Sequence, residues 1–225
     1  MTADHPDQHP HHDHDHDHVH APHPSREDDD MALTPAEAKF LALKGLLIEK
    51  GVLTADEIRQ RHEINDRGTP HQGARMVAKA WLDPAYKARM LKDGKAAAVE
   101  LGIGVTEAEL MVIENTPQCH NLIVCTLCSC YPRSLLGEPP AWYVSKAYRS
   151  RAVREPRKVL REFGLAVPDT VEVRVHDSNA DLRYVVLPMR PPGTDGMSEA
   201  QLAALVSRDC LVGAALPGNG SGAHA

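Results

Sequence analysis

Three of the five cysteines in this 225-residue chain, Cys125, Cys128 and Cys130, fall within six consecutive positions of the stretch NLIVCTLCSCYPR. If the Cys128 and Cys130 thiolates bind one ion, the peptide nitrogens of Ser129 and Cys130 lie between them and can complete a planar S–N–N–S claw. Such bonding requires deprotonated amide nitrogens, which a strongly Lewis-acidic ion in a square-planar or octahedral field sustains and tetrahedral zinc does not. Cys125, one turn back through Thr126 and Leu127, can reach over as an axial thiolate. The sixth position then stays open to water or substrate, as at a catalytic metal.

Other chemistries suit parts of this pattern. A structural zinc site needs a fourth ligand and usually a longer spacer between ligand pairs. The strand followed by CTLC imitates a thioredoxin-type redox pair, in which Cys130 has no part. An iron–sulfur cluster wants four thiolates at wider spacing. Cys119 is available as a fourth, although Cys119 and Cys210 also read as small buried apolar residues. A carrier that delivers its ion and does no chemistry is the non-enzymatic reading.

The chain that must position these residues is 42% apolar, enough for one sizeable core with a helical appendage. No apolar run reaches the roughly 18 residues of a membrane span, and the N-terminus lacks the apolar segment of a signal peptide. A cytoplasmic location, with no membrane partner, is expected. Net charge is −6, and no clustered Lys/Arg stripe marks a nucleic-acid binder. The run Arg149–Arg161 is broken by Glu155 and reads as a solvated helix face. An odd number of cysteines without an export signal favours metal or redox chemistry over a disulfide framework.

Residues 1–30 hold nine of the fourteen histidines and almost nothing apolar; they read as a disordered His/Asp-rich tail able to bind divalent ions loosely. Thr34-Pro35-Ala36-Glu37 and Thr54-Ala55-Asp56-Glu57 are capping boxes that open two helices, ended near Gly51 and Gly68. A third helix is predicted over GARMVAKAWL and a fourth over PAYKARMLKDGKAAAVELG, with Gly94 at its middle. Residues 31–101 therefore read as a helical arm. ELMVIEN, NLIVCTL, TVEVRVHDS and RYVVLPMRP are β-branched runs of strand length. AYRSRAVREPRKVLREFG and SEAQLAALVSRDCL have helical period. Residues 102–217 are thus an α/β or α+β domain carrying the cysteines, and 218–225 a flexible tail.

The motif VCTLCSC, with ENTP, PPAWY, YRSRAVREPRKVLREFG, RVHDS, RYVVLPMRPPGTDG and VSRDCLVG, closely resembles the α subunit of cobalt-type nitrile hydratase, from about residue 34 to 216. The resemblance implies a helical arm for subunit contact followed by a layered α-β-β-α catalytic domain. It implies one low-spin cobalt(III) per chain, held by the sulfurs of Cys125, Cys128 and Cys130 and the backbone nitrogens of Ser129 and Cys130. It further implies Cys128 oxidised to sulfinic acid and Cys130 to sulfenic acid, with the Cys130 oxygen acting as nucleophile or base. Oxidation concentrates on metal-polarised thiols beside an open site.

The partners implied are a β subunit, in an αβ or α2β2 assembly, a cobalt-insertion activator protein and a small nitrile hydrated to its amide. Thr126 and Tyr131 match the cobalt-type pattern, which favours cobalt over iron. Thr106 stands where the family often has Gln, and Arg133 where many cobalt members have Trp. These two, with Thr126 and Tyr131, are the candidate lining residues of the substrate pocket. Thiocyanate hydrolase carries the same claw in its metal-binding subunit and is the alternative within this resemblance.

Overall fold

The structure is a computed structural model that describes residues 34–128 and 130–218, and of residues 62–67 only the backbone. The expected tail 1–30, the last residues 219–225 and Ser129 lie outside the described residues. The chain divides into two compact units at Val52/Leu53.

The first unit carries α1 (Pro35–Glu49). The capping box is formed: the Glu37 amide donates to Thr34 Oγ1 at 3.3 Å, and the Thr34 amide donates to the Glu37 carboxylate at 2.8 Å. No residue of α1 is buried. Phe40, Leu41, Leu43 and Leu46 are all exposed, so the helix presents apolar side chains that it does not itself cover.

The second unit opens with α2 (Ala55–Arg67), capped by the reciprocal Thr54–Glu57 pair. α3 (Pro70–Leu82), α4 (Pro84–Lys92) and α5 (Gly94–Glu100) follow. The single helix expected over 84–102 is two. Asp93 is extended and its carboxylate accepts from the Ala96 amide, which starts α5 afresh. Gly94 has a packing reason as well: a Cβ there would stand 2.7 Å from the Leu110 carbonyl oxygen, so only glycine lets α5 approach the neighbouring strand this closely.

Four strands follow the expected runs: β1 (Glu109–Glu114), β2 (Cys119–Val124), β3 (Glu172–Asp177) and β4 (Leu182–Leu187). Between β2 and β3 lie α6 (Arg133–Leu136), α7 (Ala141–Val144), α8 (Lys146–Arg154) and α9 (Pro156–Glu162). The helical run 147–164 breaks at Glu155-Pro156, where proline cannot donate an amide hydrogen bond. α10 (Glu199–Ala203) and α11 (Arg208–Val212) close the unit.

β1 pairs in parallel with β4, and β2 in parallel with β3. α4 and α5 pack on β1, α8 on β2 and α9 on β3, while β2 packs against β4. This is a mixed helix and strand fold in α-β-β-α layers. The core runs through Val77, Tyr86, Met90, Leu122, Ile123, Leu160, Leu187 and Leu211, each 2% exposed or less. α3 to α5, placed by sequence in the arm, contribute Ala74, Met76, Ala78, Ala97 and Ala98 to that core.

Candidate metal centre

β2 delivers the cysteines. Its burial is nearly continuous from His120 to Val124, as for a strand covered on both faces, and Cys125 at its end is wholly buried. The chain then turns out to an exposed Cys128 and returns through a half-buried Cys130. Cys125 Sγ lies 3.5 Å from Cys128 Sγ, which lies 3.2 Å from Cys130 Sγ. All three sulfurs fall within 4.8 Å of one another. The Cys128 amide points back at Cys125 Sγ, 3.3 Å away.

These separations test the donor set. Two sulfurs each about 2.3 Å from one ion stand about 3.3 Å apart at a right angle and about 3.8 Å apart in a tetrahedron. The 3.2 Å gap between Cys128 and Cys130 matches the right angle and the 3.5 Å gap between Cys125 and Cys128 lies midway between the two values, so the three sulfurs are close enough to share one ion and the Cys128–Cys130 pair suits a square-planar or octahedral one. Cys119 does not join the group of ligand atoms among the described residues, which leaves an iron–sulfur cluster short of its fourth thiolate.

Hydrogen bonds from neighbouring elements fix the loop. Register pairs Val124 with Asp177, the last residue of β3. The Asp177 carboxylate accepts from the Thr126 amide at 2.9 Å and the Thr126 hydroxyl at 2.5 Å. Arg149 of α8 donates to the Thr126 carbonyl at 3.3 Å. On the far side of the claw, the Tyr143 hydroxyl donates to the Cys130 carbonyl at 2.9 Å. Tyr143 belongs to an aromatic cluster with Tyr131, Trp142, Tyr148 and Phe163, joined by edge and tilted contacts. Tyr131 therefore packs beneath the claw, buried, with burial raising its pKa.

A cavity of about 470 Å³ opens on the cysteines, lined by Thr106, Glu107, Ala108, Cys128, Cys130, Tyr131, Arg133, Ala180 and Arg183. The Thr106 amide donates to Ser134 Oγ at 3.0 Å. Ser134 in turn gives its amide and hydroxyl to the buried Glu107 carboxylate at 3.1 and 2.6 Å. Arg133 pairs with Glu138 at 2.6 Å. Burial pushes the Cys130 thiol up to about 12, helped by its contacts with Cys128 and Cys125 and opposed by the charge of Arg183. An ion entering here must therefore displace protons.

The structure gathers Cys125, Cys128 and Cys130 and brings Thr106, Tyr131 and Arg133 to the same cavity, while Thr126 anchors the loop to Asp177 from outside the lining. Sequence reasoning missed Asp177, Arg183, Glu107, Ser134 and Tyr143. RVHDS, RYVV and PPAWY were visible as motifs, but only strand register and packing carry these side chains to the cysteines.

The family model for the nitrile hydratase alpha chain matches residues 34–215, and the chain belongs to that family. Over 192 residues it is 50% identical to the cobalt-containing nitrile hydratase subunit alpha of Pseudonocardia thermophila, covering 84% of this chain and 94% of that one. It is 47% identical over 189 residues to the thiocyanate hydrolase subunit gamma of Thiobacillus thioparus, covering 79% and 78%. Among solved structures, a recombinant thiocyanate hydrolase with partially modified cobalt centres is similar at TM-score 0.73 and 44% identity, covering 84% of this chain and 93% of that one. A double mutant of the Fe-type nitrile hydratase of Comamonas testosteroni is similar at TM-score 0.67 and 43% identity, covering 82% and 92%. No helix among the described residues is long and apolar enough to cross a membrane.

Proposed function

We propose that this chain is the metal-binding subunit of a nitrile hydratase, adding water across the C≡N bond of an organic nitrile to give the amide. The observation that carries the reading is the cluster of three thiol sulfurs within 4.8 Å at the mouth of a polar cavity. It occurs in a member of a family whose named relatives include cobalt nitrile hydratase α subunits. The sulfurs of Cys125, Cys128 and Cys130 and the backbone nitrogens of Ser129 and Cys130 would hold one cobalt(III), which when bound supplies Lewis acidity to a nitrile or a water.

The residues then divide the work. Cys128 as sulfinate and Cys130 as sulfenate place anionic oxygens at the cavity. The Cys130 oxygen takes a proton from water as the water oxygen attacks the nitrile carbon, and the nitrile nitrogen is protonated in turn. The resulting imidic acid tautomerises to the amide. Cys125 would hold the ion from the buried end of β2, and Asp177 and Tyr143 hold the loop ends. Thr106 and Arg133 shape the substrate wall. A β subunit, bound in an αβ or α2β2 assembly in the cytoplasm, completes the cavity, and an activator protein inserts the cobalt.

Arg133 favours a second reading. It brings a cation to the wall of a polar cavity, which suits an anionic C≡N compound, and a thiocyanate hydrolase subunit is among the relatives. The test is to assay one cobalt-loaded αβ preparation, matured in air, with small aliphatic and aromatic nitriles and with thiocyanate. Amide formation is expected. Consumption of thiocyanate without amide formation selects the second reading, and activity on neither, with cobalt rapidly exchanged and no oxygen on the cysteines, identifies a metal carrier.

A further inference from the structure

Arg183 is the second residue of β4, in register with Leu110 of β1, and it lines the same cavity as Cys128 and Cys130. Its Nε and Nη1 are shielded from solvent, and neither makes a hydrogen bond. The other charged groups of the cavity are spoken for. Arg133 makes a solvent-exposed pair with Glu138, and the Glu107 carboxylate accepts from the Ser134 amide and hydroxyl.

A guanidinium does not lose its proton inside a protein. Two buried N–H donors without an acceptor are therefore a standing cost, which an anion placed against them removes. Neither nitrogen makes a hydrogen bond to a cysteine sulfur. One oxygen bonded to Sγ carries negative charge a bond length farther into the space that Arg183 and Cys130 share, and offers a better acceptor than sulfur. We propose that Arg183 receives the oxygen of oxidised Cys130, donating to it from within this chain, and so holds that oxygen aimed into the cavity. Arg183 is then a positioning residue acting through Cys130. The inference rests on the oxidised claw proposed above.

The experiment uses the assembled, cobalt-loaded complex as wild type, R183K and R183Q, treated with a water-soluble phosphine. The phosphine removes oxygen from a sulfenate, RS–O⁻ + PR₃ → RS⁻ + O=PR₃, with phosphorus losing the two electrons that sulfur gains. Oxygen count on the Cys125–Cys130 peptide is followed by mass spectrometry, beside cobalt content and subunit association. R183Q should lose the Cys130 oxygen about ten- to a hundredfold faster than wild type, and R183K by less, because it keeps the charge and loses the fork. An R183Q protein that binds cobalt yet never gains the oxygen also supports the assignment. Wild-type deoxygenation rates in R183Q overturn it. So does weakened subunit association at an unchanged rate, which would mean that Arg183 serves a carboxylate of the partner. If R183Q does not assemble, R183K decides, and a wild-type rate there overturns the proposal. A wild-type complex without oxygen on the peptide defeats the oxidised-claw reading itself.

Discussion

Ser129 separates backbone from side-chain chemistry at the claw. Its proposed ligand atom is the main-chain nitrogen, so Ser129→Ala keeps the donor and loses only a hydroxyl. Cys128→Ala and Cys130→Ala remove sulfur ligands outright. Ser129→Ala should retain close to one cobalt per chain with kcat lowered no more than about tenfold to a hundredfold, while either cysteine variant loses the metal. Metal analysis of the purified complexes decides, and a folded Ser129→Ala protein without cobalt would contradict the backbone-ligand reading. Residue spacing made the three cysteines legible because chelation is local in sequence. Glu107 and Ser134, 27 positions apart, were not legible as a pair, since the 2.6 Å bond between them depends on where α6 meets the start of β1.

At the scale of elements, the position of the claw is a matter of register. One residue of slip between β2 and β3 would move Asp177 away from Thr126, reversing which face each side chain occupies. Asp177→Ala deletes both acceptors of the Thr126 amide and hydroxyl, so the loop should loosen while the core stays intact. Cobalt affinity is expected to fall about ten- to a hundredfold, measured by competition with a chelator, with thermal unfolding little changed. The strands themselves were readable as β-branched runs, whereas the parallel pairing of β1 with β4 and β2 with β3 was not, because it is decided by helices that intervene in sequence.

The same strand carries a pH-sensitive contact. His120 is buried on β2, with Nε2 2.7 Å from the Gly213 carbonyl and Nδ1 3.3 Å from the Asn115 amide nitrogen. Donation from Nε2 and acceptance at Nδ1 describe a neutral ring, and burial lowers its pKa from 6.5, partly offset by the Gly213 bond. The folded state therefore binds the proton less readily than the unfolded chain. This contribution to stability is fully present above about pH 6.5 and is lost as pH falls toward the folded pKa. His176, whose pKa is also lowered by burial, adds in the same direction. Denaturant unfolding of wild type and His120→Gln between pH 5 and 8, values spanning about the unperturbed histidine pKa, should show a flatter acid slope in the variant. Equal slopes would remove His120 from the account.

For the whole molecule, the division at Val52/Leu53 sets apart one helix with nothing buried. Phe40, Leu41, Leu43 and Leu46 stand 45–65% exposed, and covering each fully is worth about 1.5–3 kcal/mol. A partner chain is the economical cover for a helix that is apolar on several sides. The capping box made α1 legible from Thr34 and Glu37 alone. How much of the helical region belongs to an arm was not legible, because α3 to α5 have the same local signals and differ only in what they pack against. Deleting residues 1–30 should leave assembly and amide formation nearly unchanged. Deleting residues 1–52 removes none of the buried core residues, so the remainder should fold with its cysteine cluster intact yet bind the β subunit at least about tenfold more weakly, a loss of about 1.4 kcal/mol or more. Co-purification and titration of the two truncated chains against β measure this. Wild-type affinity after the longer deletion would place the subunit contact on the second unit and leave α1 without a role in assembly.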